Sequence, residues 1–120
     1  MIRVIVAGGR DYRPTPKDHE RTVRLLRALG ATHVVSGMAR GVDTWGEAVA
    51  AELGLEVLLF PADWSTHGRR AGWLRNLEMA RSADAVITLP GGRGTAMMRA
   101  IARASGLPLF DLAEAPASSG

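Results

Sequence analysis

A chain of 120 residues, 47% of them apolar, is long enough to bury the core of one globular domain and too apolar to stay disordered. It has no cysteine, which excludes disulfides, thiolate zinc sites and a cysteine nucleophile and fits a cytoplasmic location. The formal net charge of +3 is too small by itself to indicate nucleic-acid binding, and no apolar run approaches the roughly 20 residues that span a bilayer.

Apolar runs and amphipathic segments alternate along the chain. Strands are predicted at 2–7, 32–36, 56–60, 84–89 and 107–110, where apolar residues are continuous. Helices are predicted at 17–30, 42–54, 71–83 and 95–106, where apolar residues recur at helical spacing. Strands joined by helices in this way indicate an α/β domain over residues 1–112, a doubly wound parallel sheet of about five strands between two helical layers. The small, polar segment 113–120 is predicted to be a disordered tail.

Every conspicuous loop follows the carboxyl end of a predicted strand. These loops are "GGRDY" (8–12), "SGMARGVD" (36–43), "PADWSTHGRR" (61–70) and "PGGRGT" (90–95). The connections at the opposite edge are short. Because ligands of doubly wound domains bind outside the carboxyl ends of the strands, this asymmetry predicts one binding face.

The "PGGRGT" and "SGMARGVD" loops favour an anion site. Glycine lets backbone N–H groups approach a ligand, and a helix predicted to begin near Thr95 aims its free N–H groups at the same point. Arg93 and Arg40 add guanidinium groups that suit phosphate. The alternative for either loop alone is a tight turn with no ligand. Two such loops with arginines together predict a cradle for phosphate or another nucleotide anion.

Other common site motifs are absent from the sequence. The "GGRDYR" stretch is not the G-x-G-x-x-G dinucleotide fingerprint, and no G-x-x-x-x-G-K-[ST] phosphate-binding loop occurs. The three histidines lack metal-ligand spacing, so no metal site is predicted.

Five motifs in order resemble a known family. The "VVSGMARGVDTWGEAVA" segment is similar to the S-G-x-A-x-G-[IV]-D region of Smf/DprA DNA-processing proteins, and "PGGRGT" resembles the P-G-G-x-G-T motif of Lonely-Guy phosphoribohydrolases. Both groups belong to the SLOG superfamily of Rossmann-like domains. The fuller resemblance, through "GGRDY", "SGMARGVD", "PADW", "AGWLRN" and "PGGRGT", is to its YspA-like branch of bacterial and phage proteins, and covers residues 1 to about 110.

The resemblance implies a pocket for a nucleotide or nucleotide-derived ligand. It adds Arg75 and Asn76 of "AGWLRN" to the loop residues inferred above. The candidate ligand-binding residues are Gly8, Gly9, Arg10, Asp11, Ser36, Gly37, Arg40, Gly41, Asp43, Trp64, Arg75, Asn76, Pro90, Gly91, Gly92, Arg93, Gly94 and Thr95.

One departure from the resemblance concerns catalysis. The phosphoribohydrolases read P-G-G-x-G-T-x-x-E, and their glutamate acts with an arginine on the preceding helix. Here Met98 occupies the glutamate position, and Arg75 resembles the arginine without its carboxylate partner. A thioether cannot act as a base or stabilise an oxocarbenium ion, so that chemistry does not carry over.

Other carboxylates could take the missing role. Asp43 and Glu47 lie four residues apart on one helical face, and Asp11 and Asp63 lie on ligand-side loops. Asp43, a candidate catalytic residue with Arg75, could equally be an N-cap or first-turn helix charge. Glu47 is expected to face solvent or to be paired, and Asp11 to pair with Arg10 or a ligand ribose.

The three tryptophans have different expected roles. Trp64, in the long loop, could stack on a base or simply pack. Trp45 and Trp73 fall on apolar helical stripes and are predicted to pack in the core.

The sequence leaves three functions open. The leading one is binding or sensing of a nucleotide or nucleotide derivative, and the second is nucleotide N-glycosidic hydrolysis of Lonely-Guy type. The third is single-stranded DNA binding of Smf/DprA type, in which arginines track phosphates. These would be Arg10, Arg40, Arg69, Arg70, Arg75 and Arg93. No membrane partner is expected, and the resemblance makes a homo-oligomer possible.

Overall fold

The computed structural model describes residues 1–113, in which five strands and five helices alternate except where two helices follow the third strand. They are β1 (Arg3–Ala7), α1 (Pro16–Leu29), β2 (His33–Ser36), α2 (Val42–Glu52), β3 (Glu56–Leu59), α3 (Trp64–His67), α4 (Ala71–Ser82), β4 (Ala85–Thr88), α5 (Arg93–Ala104) and β5 (Leu109–Asp111). A 3₁₀ turn, Gly68–Arg70, joins α3 to α4. None of these helices is long and apolar enough to cross a membrane.

The sheet is wholly parallel and has helices on both faces. Val4 and Val6 of β1 pack in one buried cluster with residues of α1 and α2. Ile5 and Ala7 point to the other face and pack with Met79 of α4 and with α5. Alternate residues of one strand therefore serve two cores, as continuous apolar strands require. The predicted three-layer, doubly wound α/β fold is confirmed.

The strand order places a switch point in the middle of the sheet. The order is β3-β2-β1-β4-β5, so the chain moves outward from β1 in one direction and then starts again at β4 on the other side. Val4 of β1 pairs with Val34 of β2 on one side and with Ala85 of β4 on the other. The loops after β1 and β4 leave neighbouring strands toward opposite faces, which opens a crevice between them.

Some predicted boundaries differ from the structure. The connection 61–70, predicted as a loop, holds α3 and the 3₁₀ turn, because the Asp63 carboxylate accepts a hydrogen bond from the Thr66 N–H at 3.1 Å and caps a short helix. The last strand runs to Asp111, and α5 begins at Arg93 rather than near Thr95. The predicted disordered tail lies outside the described residues except for Ala113.

A hydrogen-bonded cap anchors α1 to the loop that follows β1. The Asp18 carboxylate accepts from the Tyr12 hydroxyl at 2.5 Å and from the Thr15 N–H at 2.9 Å, while the Thr15 hydroxyl accepts from the Asp18 N–H at 3.1 Å. Burial alone would raise the pKa of Asp18, but these hydrogen bonds outweigh it and lower the pKa. Tyr12 of "GGRDY" thus ties the first glycine loop to a helix start.

An Asp18→Asn variant should be less stable than the parent at neutral pH, by about 1–2 kcal/mol as for other lost caps. Because the pKa of Asp18 is lower in the folded state than in the unfolded state, its carboxylate contributes stability above the unfolded pKa, and that stability is lost as pH falls through the folded pKa. Urea denaturation at a series of pH values should therefore show that the difference in unfolding free energy between the parent and Asp18→Asn becomes smaller in acid. Glu20→Gln, on the exposed face of the same helix, is the control and should change little. A difference in unfolding free energy that is the same at every pH would contradict a stabilising role for the Asp18 carboxylate.

Candidate functional site

A cavity of about 430 Å³ opens at the carboxyl edge of the sheet, at the switch point. Its walls come from the loops after β1, β2 and β4 and from the segment between β3 and the middle of α4. The lining residues are Ala7, Gly8, Gly9, Arg10, Asp11, Ala39, Asp43, Trp64, Arg69, Gly72, Trp73, Arg75, Asn76, Gly92, Arg93, Gly94, Thr95, Met97 and Met98. The volume is within the range of small-molecule sites.

Twelve of the eighteen candidate residues line this cavity. They are Gly8, Gly9, Arg10, Asp11, Asp43, Trp64, Arg75, Asn76, Gly92, Arg93, Gly94 and Thr95. The other six belong to the same loops but do not line the cavity: Ser36, Gly37, Arg40, Gly41, Pro90 and Gly91. The sequence reasoning missed Met97 and Trp73, although the Trp73–Asn76 spacing of three residues places both on one side of a helix.

Main-chain contacts hold the glycine loops together. The Gly9 N–H donates to the Pro90 carbonyl oxygen at 2.8 Å, and the Val42 N–H donates to the Gly9 carbonyl oxygen at 3.3 Å. Gly41 has φ +78°, and a Cβ there would lie 2.5 Å from the carbonyl oxygens of Gly9 and Arg10. The loops after β1, β2 and β4 therefore meet backbone against backbone.

The glycines of "PGGRGT" divide into two kinds. A Cβ on Gly91 would collide with the Thr95 side chain and lie 2.6 Å from the Gly9 nitrogen, so internal packing explains that glycine. A Cβ on Gly92 or Gly94 would have no atom within 4 Å, and neither residue has a positive φ. Gly92 and Gly94 line the cavity, and the packing of the chain itself does not require glycine at either position.

Ser36 is fully buried beneath the cavity. Its hydroxyl donates to Glu47 Oε2 at 2.7 Å and accepts from the Met38 N–H at 3.1 Å. Of the two alternatives for Glu47, solvent-facing or paired, the structure shows the pair. The position of Ser36 assigns it to holding the β2–α2 loop, where Met38 adopts φ +65°, rather than to lining the ligand cavity.

Asp43 lies in the first turn of α2 and lines the cavity floor. Burial raises its pKa, and the Ala39 N–H, which donates to Oδ2 at 3.2 Å, and the positive charge of Arg75 offset part of this rise. The residue is only 6% exposed. A buried carboxyl group whose pKa is raised holds a proton more readily than a surface aspartate does.

Arg75 and Asn76, at the N-terminal half of α4, connect two of the loops. Arg75 donates from Nη1 to the Gly37 carbonyl oxygen and from Nε to Asn76 Oδ1. Asn76 Nδ2 donates to the Gly94 carbonyl oxygen at 3.3 Å. The pair therefore joins the loop after β2 to the first turn of α5, and Arg75 reaches the predicted ligand face.

The positive charges at the cavity are not neutralised equally. Asp11 pairs with Arg40 at 3.0 Å, and not with Arg10 as one sequence alternative had it, because the β1 and β2 loops lie side by side. Within residues 1–113 no carboxylate lies within ion-pair distance of Arg10, Arg69 or Arg93. Burial lowers the pKa of Arg75, and the charge of Arg10 lowers it further. Like charges converging on one cavity attract an anion.

The structure separates the three tryptophans. Trp45 packs against the core beneath α1 and α2, as predicted. The core prediction is wrong for Trp73, which is 40% exposed and lines the cavity. It is the third residue of α4, in the turn of that helix that borders the cavity. Trp64 also lines the cavity and is 52% exposed.

Met98 contacts both the core and the cavity. It is 1% exposed and packs in the buried cluster between the sheet, α4 and α5, and it also borders the cavity. Its thioether presents an apolar surface at the place where a phosphoribohydrolase motif carries glutamate.

Comparison with known proteins gives three similarities. A model of the YspA, cpYpsA-related SLOG family (YAcAr) matches residues 2–67. The Gene 61 protein of Mycobacterium phage D29 is 34% identical over 126 residues, which span 97% of this chain and 100% of that protein. The X-ray structure of TM1055, a Northeast Structural Genomics Consortium target, aligns with a TM-score of 0.69 at 24% identity over 91% of this chain and 72% of that chain. This last similarity concerns the fold alone.

Proposed function

The chain belongs to the YspA, cpYpsA-related SLOG family, and from that membership we propose that it binds a nucleotide or nucleotide-derived ligand in the switch-point cavity. The family supports a nucleotide-related function in general terms. The finer proposal rests on the cavity walls, where free backbone N–H groups, arginines and tryptophans come together.

The observation that carries the proposal is the openness around Gly92 and Gly94. Both residues border the cavity, and their missing side chains leave space that no atom of the described chain fills. Gly94 lies in the first turn of α5, where neither a positive φ nor a neighbouring side chain calls for glycine. Close approach of a ligand to the backbone supplies a reason for it.

The first turn of α5 is the part of the cavity best suited to the anionic group. Its N–H groups have no partner within the helix, and its positive dipole end favours an anion by about 0.3–1 kcal/mol, or up to ~2 when partly buried. Arg93 belongs to this turn and Arg10 lines the same cavity, and both guanidinium groups are free of ion pairs among the described residues. Thr95 adds a buried residue with a hydroxyl to the same turn.

A second candidate function, hydrolysis of an N-glycosidic bond, is favoured by Asp43. It is a buried carboxyl group that lines the cavity, and burial raises its pKa, which is the direction that proton donation to a leaving base requires. The buried thioether of Met98 supplies no charge to a developing oxocarbenium ion. Release of free base from nucleoside monophosphates, measured by chromatography and lost in Asp43→Asn, would select hydrolysis over simple binding.

A thermal-shift screen should identify a nucleotide that stabilises the protein. Nucleoside mono-, di- and triphosphates, NAD and ADP-ribose are the probes. At about 100 times its Kd a ligand adds about 2.7 kcal/mol, which corresponds to a rise in Tm on the order of 10 °C for a domain of this size. No shift with any probe would reject the proposal. Binding of single-stranded DNA that weakens steeply with salt, without a saturable mononucleotide site, would select the third function instead.

A further inference from the structure

Two exposed aromatic side chains, Trp64 and Trp73, line the same cavity. Among the described residues, the large apolar side chains that are exposed are Met1, Met38, Leu59, Trp64 and Trp73, and the last two line the cavity. Residues 63–70 are all exposed, and Trp64 itself is 52% exposed. An apolar surface that borders a polar cavity marks a place where a ligand binds.

Both tryptophans lie at the first turn of α4. Gly72 also lines the cavity, and a Cβ on it would lie 3.4 Å from Cη2 of Trp64, so the indole of Trp64 lies over the first turn of α4. Trp73 follows directly in that turn. The Arg70 guanidinium lies 5.7 Å from the centre of the Trp73 ring, although Arg70 itself does not line the cavity. Arg70 thus supports Trp73 from outside the cavity lining.

The tryptophan wall has a defined position relative to the first turn of α5. Asn76 lies one helical turn after Trp73, and its side chain contacts Gly94 and the Met97 sulfur, which is 3.7 Å away. The first turns of α4 and α5 are therefore adjacent walls of one cavity, one aromatic and the other rich in free N–H groups. A ligand that uses both walls must carry a planar ring and an anion in the same molecule.

We propose that Trp64 and Trp73 form a slot for the ring system of the ligand, which makes the ligand a nucleoside phosphate rather than a sugar phosphate or a simple anion. This inference rests on the proposed binding function and adds the ring specificity to it. Aromatic faces accept any heteroaromatic ring, and the depth of the slot and its neighbours Arg69 and Met97 then choose among rings.

Calorimetry and tryptophan fluorescence with a matched pair of probes test the slot. The four common nucleoside monophosphates and nicotinamide mononucleotide carry a ring, whereas ribose phosphate carries the same anion without one. At least one ring-bearing probe should bind more tightly than ribose phosphate and should quench tryptophan fluorescence. Trp73→Ala should raise the Kd of that probe by about 5- to 150-fold, the range that base stacking covers, and leave ribose phosphate binding unchanged.

Three variants complete the test. Trp64→Ala should act as Trp73→Ala does, and Trp73→Phe should retain most of the affinity. Trp45→Phe should leave the quenching intact, because Trp45 packs on the core away from the cavity lining. Equal affinity for ribose phosphate and for every ring-bearing probe would overturn the slot while leaving the anion site standing. Absence of binding by all of these phosphates would reject the anion site and the slot together.

Discussion

Replacing Gly94 with aspartate should abolish binding of nucleoside monophosphates and ribose phosphate while leaving the protein at least as stable as before. A carboxylate in the first turn of α5 interacts favourably with the helix dipole, by about 0.3–1 kcal/mol. A Cβ added at Gly94 would also meet no atom within 4 Å. The same carboxylate would stand where we place the ligand anion. Like charges in contact cost several kcal/mol, so we expect affinity to fall by about 100-fold or more. Titration calorimetry and denaturant unfolding measure the two effects separately.

Gly94→Asn is the matched control for that experiment. Asparagine has nearly the size of aspartate and no charge, so any loss that both variants share comes from bulk, and the difference between them comes from charge. Undiminished binding by Gly94→Asp would show that the anion does not lie at the first turn of α5, even if a nucleotide binds elsewhere in the cavity.

Gly41→Ala should destabilise the fold by about 2–6 kcal/mol. The residue has φ +78° and ψ −125°, a sparsely populated combination that costs a residue with a side chain about 1–3 kcal/mol, and its new Cβ would press on the carbonyl oxygens of Gly9 and Arg10. Backbone atoms cannot move aside as the end of a flexible side chain can, and overpacking of this kind adds about 1–3 kcal/mol. The free energy of unfolding from urea denaturation measures the loss.

Gly54→Ala is the control for a positive φ without a collision. Gly54 has φ +70° but no atom within 4 Å of its Cβ position, so alanine there suffers backbone strain alone. The larger loss expected for Gly41→Ala reports the contact between the β1 and β2 loops together with the ψ of −125° at Gly41. If Gly41→Ala were no less stable than Gly54→Ala, the loops would not be packed as tightly as the structure has them.

Much of the fold could be predicted because local pattern and tertiary structure agree. The runs around Val4, Val34 and Val86 are continuous and apolar because each strand is covered on both faces. Helix boundaries that depend on a single side chain were harder to predict from the sequence. Asp63 turns part of a predicted loop into α3 through one cap, a signal present in the sequence as an aspartate three residues before Thr66. The start of α5 at Arg93 depends on Gly92 as a cap without a side-chain hydrogen bond.

The candidate site was predicted at the level of loops and not of side chains. A glycine that accommodates Thr95, such as Gly91, and a glycine that borders a cavity, such as Gly94, have the same letter and the same spacing. The two kinds of glycine are distinguished by contacts with distant parts of the chain, such as the contact between Gly91 and the Gly9 nitrogen. The exposure of Trp73 was not predicted for a related reason. The spacing of apolar residues shows which face of a helix turns toward the sheet, but not where along its length the helix extends past the edge of the sheet.

The backbone-to-backbone contacts among the three loops separate the frame of the site from its chemistry. The contacts from Gly9 to Pro90 and from Val42 to Gly9 use only main-chain atoms, so they do not depend on which side chains stand at Arg10 or Arg93. The side chains that line the cavity can therefore change without any rebuilding of the scaffold that carries them. Substitutions at a few cavity positions would alter the chemistry of this site and leave the fold as it is.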